Sequence, residues 1–297
     1  MIKDTFQIKD LENLTGIKIP TLRIWEKRYG IIKPTRTNTG IRYYNVQEVS
    51  KLLNIVYLNR NGWKISKIAV LTDDQINLTI KELDQHKNDY SIEVEEFLIA
   101  MLSFNQIKFN QIYKKLRDDK SFETIFEKYF YPLLLRVGIL WQTNTIEIIH
   151  EHFITSLIIQ KIIFEIENLN DKPLSESKTY ILFLPVNEMH EIGLRYLQYQ
   201  LLLHKKETIY LGNHIDLPNL KRFRNRKDVV LIVNLTINPD EKSLIHYLTS
   251  LNEFVLETKL PVYLYGLQFD IHAVISEKFK NIHLHKTAKE LLNSINS

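Results

Sequence analysis

The chain has no cysteine among its 297 residues, which excludes disulfides, thiolate metal sites, iron–sulfur clusters and cysteine nucleophiles together. Glycine and proline are scarce, at 8 each, so collagen-like and low-complexity architectures are excluded, and no internal repeat or long Gly/Ser linker is evident. No apolar run is long enough to span a bilayer, because the run from Tyr131 to Trp141 is broken by Arg136. The opening MIKDTFQIKDLENL lacks an apolar stretch behind basic residues. The expected compartment is the cytoplasm, with no membrane partner. Histidine is missing before His86, so all ten lie beyond that point.

What is present is ordinary globular composition, 44% hydrophobic and 25% charged, in a chain long enough for two or three domains with their own cores. The charge is uneven: residues 1–75 carry a formal +6, and the remaining 222 residues carry −2. Patterning divides the chain into three expected parts. Residues 1–75 read as short helices punctuated by Gly16, Gly30, Gly40 and Gly62, a helix-turn-helix followed by a hairpin. Residues 76–172 have helical period at Phe97, Leu98, Met101 and Leu102, at Phe109, Ile112, Tyr113 and Leu116, at Phe130, Leu133 and Leu134, and at Ile149, Phe153 and Ile158. Four or five amphipathic helices are expected there, packed as a bundle. Residues 173–297 turn to short β-rich runs, TYILFLP, ETIYLG, DVVLIVNL, PVYLYG and NIHLH, alternating with helical lengths. That rhythm predicts a doubly wound parallel sheet.

In the basic part, Leu11, Leu14, Ile17, Leu22 and Trp25 pack two helices around a turn at Gly16. This leaves Lys18, Arg23, Lys27 and Arg28 on or near the outward face of the second helix. Such a helix fits a major groove, where arginine pairs with guanine or clamps phosphate, while Arg36, Arg42 and Tyr43 on the following hairpin are placed to grip the flanking backbone. The sequence TLRIWEKRYG, then KPTR, then GIRYY, then an apolar helix ending NGWKISKIAVL, resembles the MerR-type winged helix-turn-helix over about a quarter of the chain. The resemblance implies a dimer on a near-palindromic double-stranded DNA operator, with the helix from Pro20 to Tyr29 in the major groove and the wing against phosphates. Lys18, Arg23, Trp25, Arg28, Arg36, Arg42 and Tyr43 are the implied DNA-binding residues.

Two further arrangements stand out. PVNEMHEIGL follows the strand TYILFLP and places Glu188, His190 and Gly193 at a carboxyl end of the sheet, where doubly wound folds bind ligands. A histidine there can offer one ring nitrogen to a metal while Glu188 holds the other N–H. Upstream, Trp141 is followed after nine residues by Glu151 and His152. Glu-x-His-x-x-Gly behind Trp-x9-Glu-His, behind a MerR-type head, resembles the MerR-family repressors that carry a C-terminal cobalamin-binding domain. The implied architecture is a winged helix-turn-helix, a helical bundle and a flavodoxin-like α/β domain. His190 is then the lower axial ligand of the cobalt of methyl- or adenosylcobalamin and Glu188 its partner, with Trp141, Glu151 and His152 capping the upper face. Gly193 completes the motif. Where such proteins have a serine-rich strand end and a Gly-Gly pair beside the cofactor's tail, this chain has Asn234 and Thr236, and Gly266 followed by Leu267. Photoreceptor members carry histidine directly after the tryptophan; here it is Gln142, a poor cobalt ligand, which does not support light-triggered capture by a second imidazole.

The function implied by the resemblance is a DNA-binding transcriptional regulator, a repressor, gated by a cobalamin-type ligand that changes its homo-oligomeric state between forms such as dimer and tetramer. The alternative is a regulator whose α/β domain has lost the cofactor and serves as an oligomerisation or partner-binding module. A corrinoid-dependent enzyme is disfavoured, because a DNA-binding head has no purpose there and 297 residues leave no room for a substrate barrel. LGNHIDLP lacks a Gly-x-Gly-x-x-Gly fingerprint and no Walker loop occurs, so a nucleotide cofactor is not indicated. His283 and His285 in HLH read as surface histidines, and KRFRNRK, residues 221–227, as a solvated helix or turn.

Overall fold

The computed structural model describes residues 5–36, 40–84, 92–169, 178–235, 241–266, 279 and 281–296. Two compact units divide the chain, residues 1–157 and 158–297.

The first unit begins with β1 (Thr5–Phe6) and α1 (Ile8–Thr15), then α2 (Ile19–Ile24), which runs on as a π-turn (Trp25–Tyr29) and stops at Gly30. Gly16 ends α1 at φ +72°, in the left-handed region that a Cβ disfavours. Three residues thus separate two helices whose buried faces are Leu11 and Leu14 on one side, Leu22 and Trp25 on the other. β2 (Thr35–Arg36) and β3 (Arg42–Asn45) form the antiparallel wing, and β1 pairs with the other edge of β3. Asn45 caps α3 (Val46–Arg60) by accepting from the Glu48 N–H at 2.9 Å. The short α4 (Ile65–Ile68) and α5 (Asp73–Asp84) follow.

The bundle comprises α6 (Ile92–Leu102), α7 (Gln106–Arg117), α8 (Phe122–Ile125), a π-turn (Phe126–Phe130) and α9 (Tyr131–Gln142), leading to α10 (Ile148–Glu167). From Phe122 to Gln142 the backbone is one continuous rod. Pro132 lacks the N–H that would bond to Lys128, and the ladder widens into the π-turn directly before it. The core is aromatic: Phe130 packs against Phe97 at 5.4 Å, Phe109 at 5.9 Å and Tyr113 at 6.0 Å between ring centroids. Ile149, placed by periodicity on a buried face, is instead 38% exposed, because α10 has scarcely begun there and its inward positions are His150 and Ile154.

The second unit holds five parallel strands: β4 (Thr179–Phe183), β5 (Glu207–Gly212), β6 (Val229–Asn234), β7 (Val262–Tyr265) and β8 (Ile282–His285). Their spatial order is β5-β4-β6-β7-β8, which is 2-1-3-4-5 by appearance, the flavodoxin-like winding. The β4 and β6 strands are buried along their whole length, while the edge strand β5 alternates. One face, with Ile181, Phe183, Leu231 and Val233, packs on α13 (Glu241–Thr258) through Leu244, Leu248 and Leu251. The other, with Tyr180, Leu182, Val230 and Ile232, packs on α11 (Glu191–Leu203) and α14 (Ala288–Asn296). Truncating any of these leucines to alanine costs about 2–5 kcal/mol. The short α12 (Leu217–Leu220) and a single 3-10 turn (Lys221–Phe223) join β5 to β6. Among the described residues no helix is long and apolar enough to cross a membrane.

Candidate functional site

In the head, Lys18, Arg23, Lys27 and Arg28 are all exposed, on and just before α2 and its π-turn. Lys18 reaches Glu12 at 3.4 Å, and the Arg28 guanidinium lies 5.5 Å from the Tyr29 ring centroid. Trp25 corrects one expectation. Only 6% of it is exposed, so it belongs to the packing beneath the helix and not to the face offered outward.

On the wing, Arg36 and Arg42 are directly opposite each other in the β2–β3 register. Like charges in that position repel. The repulsion is tempered from below: Glu26 accepts from Arg42 Nε at 3.1 Å and from the Tyr44 hydroxyl at 2.9 Å. Burial, then this hydrogen bond, pushes the Tyr44 hydroxyl well above the ordinary tyrosine range, which keeps it a donor. Glu26 therefore ties the wing to the helix. It was missed in the sequence, where its signal is a lone acid beside two cations in WEKRY. Exposed Arg36, half-buried Arg42 and half-buried Tyr43 form a cationic edge suited to a phosphate backbone.

At the far end of the bundle, Trp141 closes α9 with 48% of its surface exposed, and Ile139, Leu135 and Ile148 are exposed apolar neighbours in sequence. In the first turn of α10, Glu151 Oε2 and His152 Nδ1 lie 3.1 Å apart. His150, two residues earlier, is fully buried. Its Nδ1 accepts from the Glu147 N–H at 3.2 Å, and its ring packs 4.7 Å from that of Phe104.

In the α/β unit the spatial order of strands reverses between β4 and β6, and in doubly wound folds the ligand-binding crevice lies at the carboxyl ends of the strands at such a switch point. Both strand ends carry expected site residues. After β4, a turn with Asn187 at φ +72° brings Glu188 under His190. Glu188 Oε1 accepts from the His190 backbone N–H at 2.8 Å and pairs with His190 Nδ1 at 2.8 Å. The carboxylate side chain is 4% exposed and the imidazole 51%. The ring is thus fixed from behind and open in front, with exposed Val186 and Met189 beside it in the loop. The next residue, Glu191, accepts from Arg195 Nε at 3.2 Å and the Tyr210 hydroxyl at 3.1 Å, and Arg195 sits 3.5 Å over the Tyr210 ring.

At the end of β6, buried Asn234 lies between two glycines. A Cβ on Gly193 would be 3.1 Å from Asn234 Nδ2, and one on Gly266, at φ +95°, would strike Asn234 Oδ1 and lie 2.8 Å from the Leu235 carbonyl. The Tyr265 hydroxyl, 3.8 Å from the same Gly193 position, is buried with no hydrogen-bond partner among the described residues, and burial pushes it far above the usual tyrosine range. Nothing in the sequence singled Tyr265 out. Thr236 and Leu267 lie outside the described residues. Elsewhere in the unit, His283 and His285 stack on Tyr263 at 4.6 and 5.6 Å, and in the basic run Lys221 and Arg224 share Glu257 while Arg226 pairs with Asp228.

The geometry thus defines a chain with two distinct parts, a helix-turn-helix head with an outward cationic face and a doubly wound α/β unit with a carboxylate-backed histidine at its switch point. Residues 6–75 match the MerR HTH family of regulatory proteins, and residues 93–163 match the B12 binding domain. The chain combines a MerR HTH domain with a B12 binding domain. Among curated relatives, the HTH-type transcriptional repressor CarH of Myxococcus xanthus is 24% identical over 200 residues, 65% of this chain and 66% of CarH. The HTH-type transcriptional regulator MlrA of Escherichia coli is 27% identical over 132 residues, 44% of this chain and 51% of MlrA. The chain thus spans between half and just under two thirds of the length of these relatives. Among solved structures, the monomethylamine corrinoid protein of Methanosarcina barkeri shares the fold, with TM-score 0.52, 16% identity, and coverage of 65% of this chain and 92% of that one.

Proposed function

We propose that the chain is a transcriptional regulator, a repressor when bound over a promoter, that binds double-stranded operator DNA as a homo-oligomer and whose grip is gated by a cobalamin-type ligand. It acts in the cytoplasm and is not an enzyme. The working division is a DNA-binding head at 1–75, a helical cap at 76–172 and a cofactor domain at 173–297. The observation that carries the reading is the Glu188–His190 pair at the switch point of a chain headed by an outward cationic helix.

The residues present fit a corrinoid. His190, with Nδ1 committed to Glu188, would hold cobalt through Nε2, and the buried carboxylate fixes the tautomer and strengthens the donor. Gly193 completes the Glu-x-His-x-x-Gly motif beside the ring, and the buried Tyr265 hydroxyl nearby has no hydrogen-bond partner among the described residues and can donate to a ligand. In the same reading, Trp141, Glu151 and His152 are the cofactor-contacting residues of the helical part. The ligand gates DNA binding only if it favours one assembly, dimer or tetramer, over another.

The test is to purify the protein after supplementation with methyl- or adenosylcobalamin. Expected is a co-eluting red chromophore whose spectrum changes in His190→Ala and whose loading shifts affinity for a duplex selected from a randomised pool. One observation favours the alternative of a cofactor-free oligomerisation or partner-binding module: the Asn234 amide already occupies the gap between the two glycines. Absence of any co-eluting chromophore decides for it.

A further inference from the structure

The single charge in the apolar run Tyr131–Trp141 is Arg136, and it is neither exposed nor idle. From α9 its guanidinium donates to the buried Glu95 of α6 at 2.6 Å and to the Leu14 carbonyl, at the end of α1, at 2.5 Å. A second link lies four residues beyond Trp141, where the Asn13 amide donates to the buried Thr145 hydroxyl at 2.8 Å. Helix α1 has no basic residue in its own last turn. The cations that a helix carboxyl end favours come from elsewhere, Arg136 on Leu14 and Arg60 on the Thr15 carbonyl at 2.6 Å. Both contacts fall directly before the turn at Gly16, which is followed within three residues by α2. The α1 end is therefore gripped from the bundle on both sides of Trp141 in sequence, and the exposed indole and Arg136 ride on one rigid helix.

We propose that the Arg136 clamp couples the Trp141 end of α9 to the DNA-reading helix α2, so that a change at either is felt at the other. This rests on the DNA-binding reading of the head and is independent of which ligand, if any, engages Trp141. Arg136 and Asn13 are positioning residues, acting through the end of α1. Coupling between two binding events is reciprocal, so DNA on α2 must alter the α9–α10 turn.

The experiment is amide hydrogen exchange on the full chain, with and without a duplex selected by the wild-type protein from a randomised pool. The variants are Arg136→Met combined with Glu95→Gln, which leaves no buried charge unpaired, and Asn13→Ala, which touches no charge. In either, exchange across residues 11–17 is expected to rise about tenfold, the loss of one hydrogen bond, while residues 97–102 stay within about twofold. The readout that a merely structural role would not move is the DNA-induced protection of residues 140–147, present in wild type and lost in both variants. If a duplex is selected but that protection is absent from wild type or survives in the variants, the coupling is overturned while the reading of the head stands. If no duplex is selected, both fall.

Discussion

In the head, charge is spread over exposed side chains: Arg23, Lys27, Arg28 and Arg36 face water, and the aromatic Trp25 is withdrawn beneath them. In the α/β unit the arrangement is inverted. The charge that matters, Glu188, is withdrawn, and the aromatic His190 faces out. The first plan suits a long polyanion that arrives with its own counterions and is held by many weak, salt-sensitive contacts. The second suits one strong, directional bond made by a ring whose orientation is set in advance. Two regions of one chain thus show that a binding surface is recognised by which partner is buried as much as by which residues are present.

The comparison is broken most severely through the crevice. Gly266→Ala puts a Cβ against Asn234 and the Leu235 carbonyl at a φ of +95°, and is expected to destabilise the α/β unit by about 3 kcal/mol. Denaturant melts followed by circular dichroism measure this, while affinity for the selected duplex should stay within about twofold. A melt that matches wild type would mean the two glycines are not packed as described. Next in size are the exposed cations. Arg23→Ala should cost about 1–3 kcal/mol in duplex affinity and relax sequence preference, whereas Arg36→Ala should weaken all duplexes alike and reduce the slope of log affinity against log salt by about 1. Identical behaviour of the two variants would erase the division between reading helix and positioning wing.

The smallest effect is expected at an exposed charge pair. Arg226 holds the Asp228 carboxyl down to about 2. A depressed carboxyl stabilises the fold above its unfolded value and loses that contribution as pH falls through the folded one. Asp228→Asn should therefore shift the melting temperature by no more than about 2 °C at neutral pH, and the difference from wild type should vanish as pH falls from about 4 towards 2. A large shift at neutral pH would place this pair beside the buried ones and blur the contrast between the regions.

The head was legible because its determinants are local. Gly16 and Gly30 stop helices where they stand, and apolar spacing on α1 and α2 sorts inward from outward residues within a few turns. The five strands were legible for the same reason, as runs of β-branched and aromatic residues between polar breaks. Trp25 is the instructive case in the head: apolar spacing put it in the packing, the family resemblance put it on DNA, and it is buried. In the IIHEH segment, spacing alone gave no way to tell that His150 turns into the bundle and His152 out of it, because direction depends on where the α9–α10 turn ends.

Local sequence by itself determined the elements, the cationic face and the Glu-x-His pair, since helix stops, hydrophobic period and a two-residue hydrogen bond act over a few residues. Tertiary structure decided which strands flank the crevice, that Asn234 and Tyr265 meet Gly193 and Gly266 there, and that Arg136 crosses from bundle to head. Those relations join residues tens to more than a hundred positions apart. Chain connectivity does not encode such distances; they arise when burial of apolar faces brings the segments together and leaves each enclosed polar group to find what partner it can.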